Sequence, residues 1–262
     1  SDGVTIFFFF SEAGDEPFLL ARQCPKAVVA VGADRAELGQ WVLAQHPVDC
    51  MILDDGFQHL GLRRDIDLVL LDATDATGLD AMVPAGRLRE PLEGLVRATA
   101  VVVTRADSKE EVEAINSRLR AAGLQYNDPI EVVFKADSCV SVQTEEGKPL
   151  DWCRGKSVWL VSGIGNSESF RRSALSAGVE VAGETVFQDH HRYDAEDVRR
   201  IRAAARSAGA DIVLTTEKDA GKLPPFLVPQ DSWWALRVRA EVVRGEERLR
   251  RLVLGDGVQA RA

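Results

Sequence analysis

Two adjacent carboxylates at the end of an apolar run are the strongest chemical signal in the sequence. Asp54 and Asp55 follow Cys50–Leu53, an apolar stretch of strand length, and Gly56 comes directly after them. In open α/β sheets ligands bind beyond the carboxyl ends of strands, where an acidic side chain can hold Mg²⁺ against the phosphates of a nucleotide. Asp and Gly are also ordinary turn residues. The pattern therefore predicts either a metal-binding strand end or a plain turn.

Three further motifs carry residues that could bind a ligand or move a proton. Asp15, within Gly-Asp-Glu-Pro, could be a general base or the cap of a helix that begins there. Arg89 and Glu90 lie in a proline-bounded loop, where a guanidinium suits a phosphate and a surface ion pair is the alternative. His190 and His191 are neighbours on an extended segment, so their side chains point to opposite faces. A catalytic imidazole is therefore favoured over a two-histidine zinc site, with a solvated surface histidine as the alternative.

A glycine-rich phosphate loop of the Walker A type, G-x-x-x-x-G-K-[ST], is absent from the sequence. Gly155-Lys156-Ser157 comes closest, but Leu150 stands where the first glycine would be. The apolar run Val158–Val161 that follows predicts a strand, whereas the loop requires a helix. The sequence therefore offers no loop of this type for ATP.

The elements that must position these side chains alternate between strands and helices. Apolar runs predict buried strands, and amphipathic spacing predicts helices at 109–122 and 195–208. The predicted fold class is α/β with a mostly parallel sheet. The predicted strands are Ala27–Val31, Cys50–Leu53, Leu68–Leu71, Ala100–Val103, Val158–Val161, a strand that ends at Val186, Ile212–Leu214 and Trp233–Val238.

A polar, turn-rich stretch divides the chain near its middle. Residues 137–156 contain two short β-like stretches around Thr144–Pro149, which predict a two-stranded linker. We therefore expect one α/β domain at 1–136 and a smaller α/β domain at 157–262, joined by that hairpin.

Composition and charge exclude several classes of protein. The 262 residues include 45% apolar and 28% charged side chains, which excludes collagen-like and wholly disordered chains. The net charge of −9 has the wrong sign for attracting nucleic acid or an anionic membrane through the bulk field of the protein. The four cysteines show no metal-binding spacing, and no apolar stretch reaches the roughly 20 residues that span a bilayer. We expect a globular chain that binds no nucleic acid and contains no membrane-spanning segment.

Five motifs, in order, resemble one family, the tetraacyldisaccharide 4′-kinases, or lipid A 4′-kinases. They are GDEP at 14–17, DDGFQH at 54–59, PAGRLREP at 84–91, DHH at 189–191 and TTEKD at 215–219. The resemblance implies transfer of the γ-phosphoryl group of ATP, with Mg²⁺, to the 4′-hydroxyl of an acylated glucosamine disaccharide 1-phosphate. It also implies a P-loop-kinase-like core domain before the linker. The reaction implied takes place at a membrane surface, on the cytoplasmic face of the bacterial inner membrane.

The resemblance also implies roles for individual residues. Asp15 is similar to the catalytic base of the family, assisted by His190. Asp54 and Asp55 look like the Walker B acids, which would bind the metal together with Glu90. The residues implied in binding nucleotide or lipid substrate are Arg35, Gln58, His59 and Arg89.

Two parts of the family pattern are missing from the sequence. A Walker A loop and an N-terminal membrane helix precede GDEP in the family, whereas 13 residues precede it here. Because positioning the β and γ phosphates is most of phosphoryl-transfer catalysis, we expect residues 1–262 to have little kinase activity. The alternative is a non-catalytic remnant that binds acylated sugar phosphate or a partner. A guanine-nucleotide switch, suggested by Val103–Asp107 after a strand, lacks the leading Asn-Lys of the base-reading motif.

Overall fold

The computed structural model describes residues 14–126 and 129–255, which divide into two compact units. The division follows the contacts between residues and not their order in the sequence, so each unit contains two separate stretches of the chain. The described residues of the first unit are 14–48 and 136–239, and those of the second unit are 49–126, 129–135 and 240–255.

The units and the predicted domains divide the chain differently. Residues 14–48 belong with 136–239 in the structure, whereas the sequence-based boundary places 1–136 in one domain. The division into a core domain at 1–136, a linker at 137–156 and a smaller domain at 157–262 stays a prediction.

Strands and helices alternate along most of the chain. The strands are β1 (Leu68–Asp72), β2 (Ala100–Thr104), β3 (Ile130–Ser141), β4 (Gly147–Pro149), β5 (Ser157–Ser162), β6 (Glu180–Val186), β7 (Ile212–Thr216) and β8 (Trp233–Arg244). The α-helices are α1 (Asp15–Gln23), α2 (Arg35–Gln45), α3 (Lys109–Ala121), α4 (Ser167–Ser176), α5 (Ala195–Ser207), α6 (Glu217–Ala220) and α7 (Glu246–Leu254). Across the described residues, no helix has the length and apolar character needed to cross a bilayer.

The first unit is built on parallel strands. β5 pairs with β6 on one side and with β7 on the other, and β7 pairs with β8, all in parallel. β7 is buried along its whole length, as its continuous apolar run predicts. β4 pairs antiparallel with residues 138–140 of β3, which confirms the predicted hairpin.

Helix α5 shows how the sequence sets the limits of a helix in this unit. The Asp194 side chain accepts a hydrogen bond from the Asp197 N–H, and the Asp197 side chain accepts one from the Asp194 N–H. This reciprocal cap satisfies N–H groups that have no partner inside the helix. Val198, Ile201 and Ala205 then recur on one buried face, which confirms the amphipathic helix predicted there.

The second unit repeats the parallel arrangement on a smaller scale. β1 pairs with β2, and β2 pairs with the first residues of β3, all in parallel. Helix α3 begins after its cap, Ser108, and buries Val112, Ile115 and Leu119 in one apolar cluster with strand residues. The fold class is therefore α/β with mostly parallel strands, as predicted.

Two of the predicted strands are wrong. Ala27–Val31 and Cys50–Leu53 are both irregular in the structure. An apolar run becomes a buried strand only where neighbouring strands pair with its backbone. No strand among the described residues pairs with Cys50–Leu53, and Ile52 is 90% exposed. Asp54 and Asp55 therefore lie in a turn, which is the second of the two predicted arrangements, and the expectation of a central strand end is wrong.

Candidate active site

Segments that follow three parallel strands meet at one edge of the first unit. Gly163 comes directly after β5, His190 lies in the segment after β6, and Lys218 and Lys222 come after β7. Parallel strands have their carboxyl ends at the same edge of a sheet, where α/β proteins bind ligands. Asp15 joins this cluster because α1, of which it is the first residue, packs against α6.

Asp15 lies at the centre of the cluster. Its Oδ2 atom is 2.5 Å from Lys222 Nζ and 3.5 Å from His190 Nδ1. The two atoms of the Asp15–Lys222 contact meet as an ion pair without hydrogen-bond alignment, and both side chains are largely buried. The cap of α1 is Gly14, so the hypothesis that Asp15 only caps a helix is wrong. Asp15 and His190 thus lie close together within one unit, although the sequence-based boundary places them in two different domains.

His190 is accessible while its backbone is held in place. Its φ of +59° lies in the left-handed region, which few residues other than glycine adopt. The His190 N–H donates to the Gly163 carbonyl at 3.2 Å and to Asp189 Oδ1 at 2.9 Å. The side chain is 60% exposed. A ligand could therefore reach the imidazole without any change in the backbone.

His191 has a different environment from its neighbour. Its Nε2 atom lies 2.7 Å from Asp197 Oδ2, and its ring stacks on Phe187 with centroids 4.2 Å apart. Burial would raise the pKa of Asp197, but hydrogen bonds from His191 and Arg200 hold it below its usual value. The His191 ring therefore packs against Phe187 and hydrogen-bonds to Asp197 in the first turn of α5. The two histidines thus have separate partners, and His190 lies in a turn and not on the predicted extended segment.

Lys218 places a second cation beside His190. Its Nζ atom lies 3.1 Å from Glu16 Oε1, 3.4 Å from Asp189 Oδ1 and 3.4 Å from His190 Nε2. Burial would lower the pKa of Lys218, but Glu16 and Asp189 outweigh that effect and raise it. Burial likewise would raise the pKa of Asp189, and the charges of Lys218 and His190 lower it. Both groups therefore stay charged near neutral pH.

The sequence-based prediction missed three residues of this cluster. Lys218, Asp219 and Lys222 lie in or just after the TTEKD motif, which supported the family resemblance without a role for any one residue. The available signal was the position of that motif, directly after the predicted strand Ile212–Leu214.

The predicted metal and phosphate residues form a second group, within the second unit. Arg89 Nη1 lies 2.6 Å from Asp55 Oδ2. Glu90 accepts hydrogen bonds from Gln58 Nε2 at 2.8 Å and from Arg97 Nη2 at 2.8 and 2.9 Å. Burial would raise the pKa of Glu90, but Gln58 and Arg97 hold it below its usual value. Gln58, Arg89 and Glu90 line a cleft of about 300 Å³.

For the remaining predicted site residues, the contacts described above include no side-chain contact with either group. His59 is partly buried, and its carbonyl accepts a hydrogen bond from Arg64 Nη1 at 2.6 Å. Asp54 is exposed in its turn. Arg35 belongs to the first unit, where it is the first residue of α2.

The donor set in the second unit suits a metal that arrives with a nucleotide. No three His, Cys, Asp or Glu side chains come together as a metal site within the described part of the chain. Glu90 also already pairs with Arg97. Mg²⁺, however, commonly takes only one or two protein carboxylates and completes its shell with phosphate oxygens and waters. The adjacent, exposed Asp54 and Asp55 fit that smaller requirement.

We expect Gly86→Ala to destabilise the PAGRLREP loop. A Cβ atom at Gly86 would lie 2.2 Å from the backbone oxygen of Ala81, so the backbone must shift. Overpacking of this kind costs about 1–3 kcal/mol. Urea denaturation would measure the loss, with Gly61→Ala as the matched control because a Cβ atom there meets nothing within 4 Å. Equal stability of the two variants would contradict the prediction.

Comparison with known proteins decides the family. The family model for LpxK, tetraacyldisaccharide-1-P 4′-kinase, matches residues 9–256. The chain belongs to this family. The family resemblance predicted from the motifs is therefore confirmed.

Relatives and a solved structure of LpxK agree with this assignment. The tetraacyldisaccharide 4′-kinase of Anaeromyxobacter sp. (strain Fw109-5) is 38% identical over 249 residues, which cover 95% of this chain and 67% of the relative. That of Halothermothrix orenii is 38% identical over 237 residues, covering 85% and 60%. A crystal structure of "apo" form LpxK from Aquifex aeolicus in complex with ATP matches with a TM-score of 0.68 at 29% identity, covering 95% of this chain and 70% of that one. The chain thus spans about two thirds of the length of its curated relatives.

Proposed function

We propose that this chain, together with a phosphate-binding loop, transfers the γ-phosphoryl group of ATP to the 4′-hydroxyl of a tetraacyldisaccharide 1-phosphate, in lipid A biosynthesis. The observation that carries the proposal is the Asp15 carboxylate, which lies 2.5 Å from Lys222 Nζ and 3.5 Å from His190 Nδ1. The names of the relatives support the substrate, and the complex of Aquifex aeolicus LpxK with ATP supports the phosphoryl donor.

In this proposal Asp15 is the general base. Its described contacts with Lys222 and His190 both involve Oδ2, so Oδ1 would accept the proton of the 4′-hydroxyl. The hydroxyl oxygen forms a bond to the γ-phosphorus, the bond from that phosphorus to the bridging oxygen breaks, and ADP leaves with the electron pair. His190 Nδ1, 3.5 Å from Asp15 Oδ2, would have to approach to hydrogen-bond distance to orient the carboxylate and share the proton.

For the second unit the proposal assigns binding roles. Arg89 would contact phosphate oxygens, for which a guanidinium is well suited. Asp54 and Asp55 would hold Mg²⁺, which when bound neutralises charge on the phosphates, and Glu90 would join them on release from Arg97. Gln58 and His59, and Arg35 in the first unit, would bind nucleotide or lipid substrate. The acyl chains of the substrate would anchor it in a bilayer, and the family resemblance implies that this is the cytoplasmic face of the inner membrane.

The test is transfer of label from γ-³²P-ATP to a tetraacyldisaccharide 1-phosphate in detergent micelles. Residues 1–262 contain no Walker A sequence, so we expect little transfer from these residues alone. We expect turnover from a longer form that includes these residues and a phosphate loop. Label at the 4′ position supports the proposal. Binding of the lipid by that longer form without transfer would instead favour a non-catalytic remnant.

A further inference from the structure

Asp219 and Lys222 form a buried charged pair that the proposed reaction leaves without a role. The Asp219 side chain is fully buried, the Lys222 side chain is 6% exposed, and Lys222 Nζ lies 3.7 Å from Asp219 Oδ1. Burying a charge is costly unless it is paired. Lys222 also contacts Asp15, so its one ammonium group stands between two carboxylates.

The pair is connected to both members of the Asp15–His190 contact. Asp219 Oδ2 accepts hydrogen bonds from the Gly163 N–H at 2.9 Å and from Thr216 Oγ1 at 2.7 Å. The carbonyl of the same Gly163 accepts the hydrogen bond from the His190 N–H at 3.2 Å. One oxygen of Asp219 therefore holds the backbone that supports His190, and the other faces the lysine that contacts Asp15.

The space around Asp219 is tightly filled. A Cβ atom at Gly163 would lie 3.1 Å from Asp219 Oδ1 and 3.2 Å from the Tyr193 hydroxyl, closer than most real contacts. Burial and the charge of Asp219 raise the pKa of Tyr193, so that hydroxyl stays protonated at neutral pH. Tight packing leaves Asp219 and Gly163 little freedom to move independently.

We propose that Asp219 and Lys222 are positioning residues, which fix the Asp15 carboxylate and the His190 backbone relative to each other. The inference rests on the proposed function, because it assigns these residues to the geometry of the Asp15 base. Lys222 contacts Asp15 at Oδ2, whereas Oδ1 would take the proton, and Asp219 contacts Lys222. Their effect is on the placement of Asp15 and His190, and small misplacements of reacting groups are costly to the rate.

The test uses Lys222→Met in a catalytically active form of the protein that contains residues 1–262. We expect kcat to fall on the order of 100-fold, as for a misplaced catalytic group, while the Kd for ATP stays unchanged. Lys148→Met is the matched control, since Lys148 pairs with Glu146 in the hairpin and should retain wild-type kcat. A folded Lys222→Met variant with wild-type kcat would overturn the proposal.

A double-mutant cycle with Asp15→Asn separates positioning from general destabilisation. If Lys222 acts through Asp15, Lys222→Met should lower kcat little further once Asp15 is replaced. Fully additive losses would reject the positioning role. If Asp15→Asn alone keeps wild-type kcat, the proposed base is wrong. If Asp15→Asn is inactive and Lys222→Met is normal, only the positioning proposal fails.

A third variant covers the case in which Lys222→Met does not fold. Lys222→Arg keeps the charge but cannot place a nitrogen where the Nζ atom lies, because the guanidinium is planar and wider. We expect it to fold, as followed by circular dichroism, and to lose about tenfold in kcat without a change in the Kd for ATP. Wild-type kcat in folded Lys222→Arg would contradict the proposal.

Discussion

Replacing Asp15 by asparagine is expected to lower kcat for lipid phosphorylation by about 10²–10⁴-fold, the usual contribution of general acid–base catalysis. The amide has nearly the same shape as the carboxylate but cannot take the proton of the 4′-hydroxyl. His190→Ala should cause a similar loss, and the double variant should lose little more, because groups that act as a unit give non-additive losses. The measurement is steady-state transfer from ATP by an active form of the protein that contains residues 1–262.

The matched control for this prediction is Asp151→Asn. Asp151 lies in the same unit, but its side chain is 82% exposed and pairs only with Arg154 among the described residues. It should keep wild-type kcat. Near-normal kcat in Asp15→Asn would show that Asp15 is not the base, and additive losses with His190→Ala would show that the two residues act independently.

Removing Arg202 is expected to have a large effect on stability. Arg202 donates from Nε and Nη2 to the two carboxylate oxygens of Asp231 at 2.7 and 2.6 Å, and the Asp231 side chain is 4% exposed. Arg202→Met would leave that carboxylate buried without its cation. We expect a loss of about 3 kcal/mol in the free energy of unfolding at pH 7, the lower end for a broken buried pair, because Arg202 remains partly accessible to water.

The loss should depend on pH in a defined direction. Burial would raise the pKa of Asp231, but Arg202 and the Val228 N–H hold it below its ordinary value of 3.8. The pair therefore stabilises the fold above pH 3.8 and loses this effect as the pH falls through the lower folded-state pKa. Urea denaturation should show the largest difference between Arg202→Met and wild type near neutral pH and a shrinking difference in acid.

A second arginine on the same helix provides the control for Arg202. Arg199 pairs with Glu196 on α5, and both side chains are more than 60% exposed. Arg199→Met should therefore change the free energy of unfolding by less than about 1 kcal/mol. If the two variants are equally stable at pH 7, the Arg202–Asp231 pair does not make the expected contribution.

The parts of the fold that could be predicted are those determined by local pattern. Val112, Ile115 and Leu119 recur at helical spacing, and the structure buries all three on one face of α3. The run Cys50–Leu53 has an equally clear strand pattern, yet Ile52 is exposed and no described strand pairs with it. A strand depends on hydrogen bonds to a distant segment, so the apolar pattern alone could not decide this case.

The candidate site shows the same limit. Asp15 and His190 could be found because each lies in a short motif, and the structure places them 3.5 Å apart. Lys222 lies outside these motifs, just after TTEKD, and a single lysine after a strand is usually a solvated surface residue. Its importance comes from burial between Asp15 and Asp219, which depends on the packing of α1 against α6.

The division of the first unit into two distant stretches has a consequence for synthesis on the ribosome. Residues 14–48 emerge before residues 136–239, which contain the strands and helices with which they belong. Helix α1 therefore lacks its final neighbours while the whole stretch 49–135 is translated. Contacts over such sequence distances form slowly and leave apolar surface exposed in the meantime. We therefore expect the nascent stretch 14–48 to need protection by chaperones until Lys222 has left the exit tunnel.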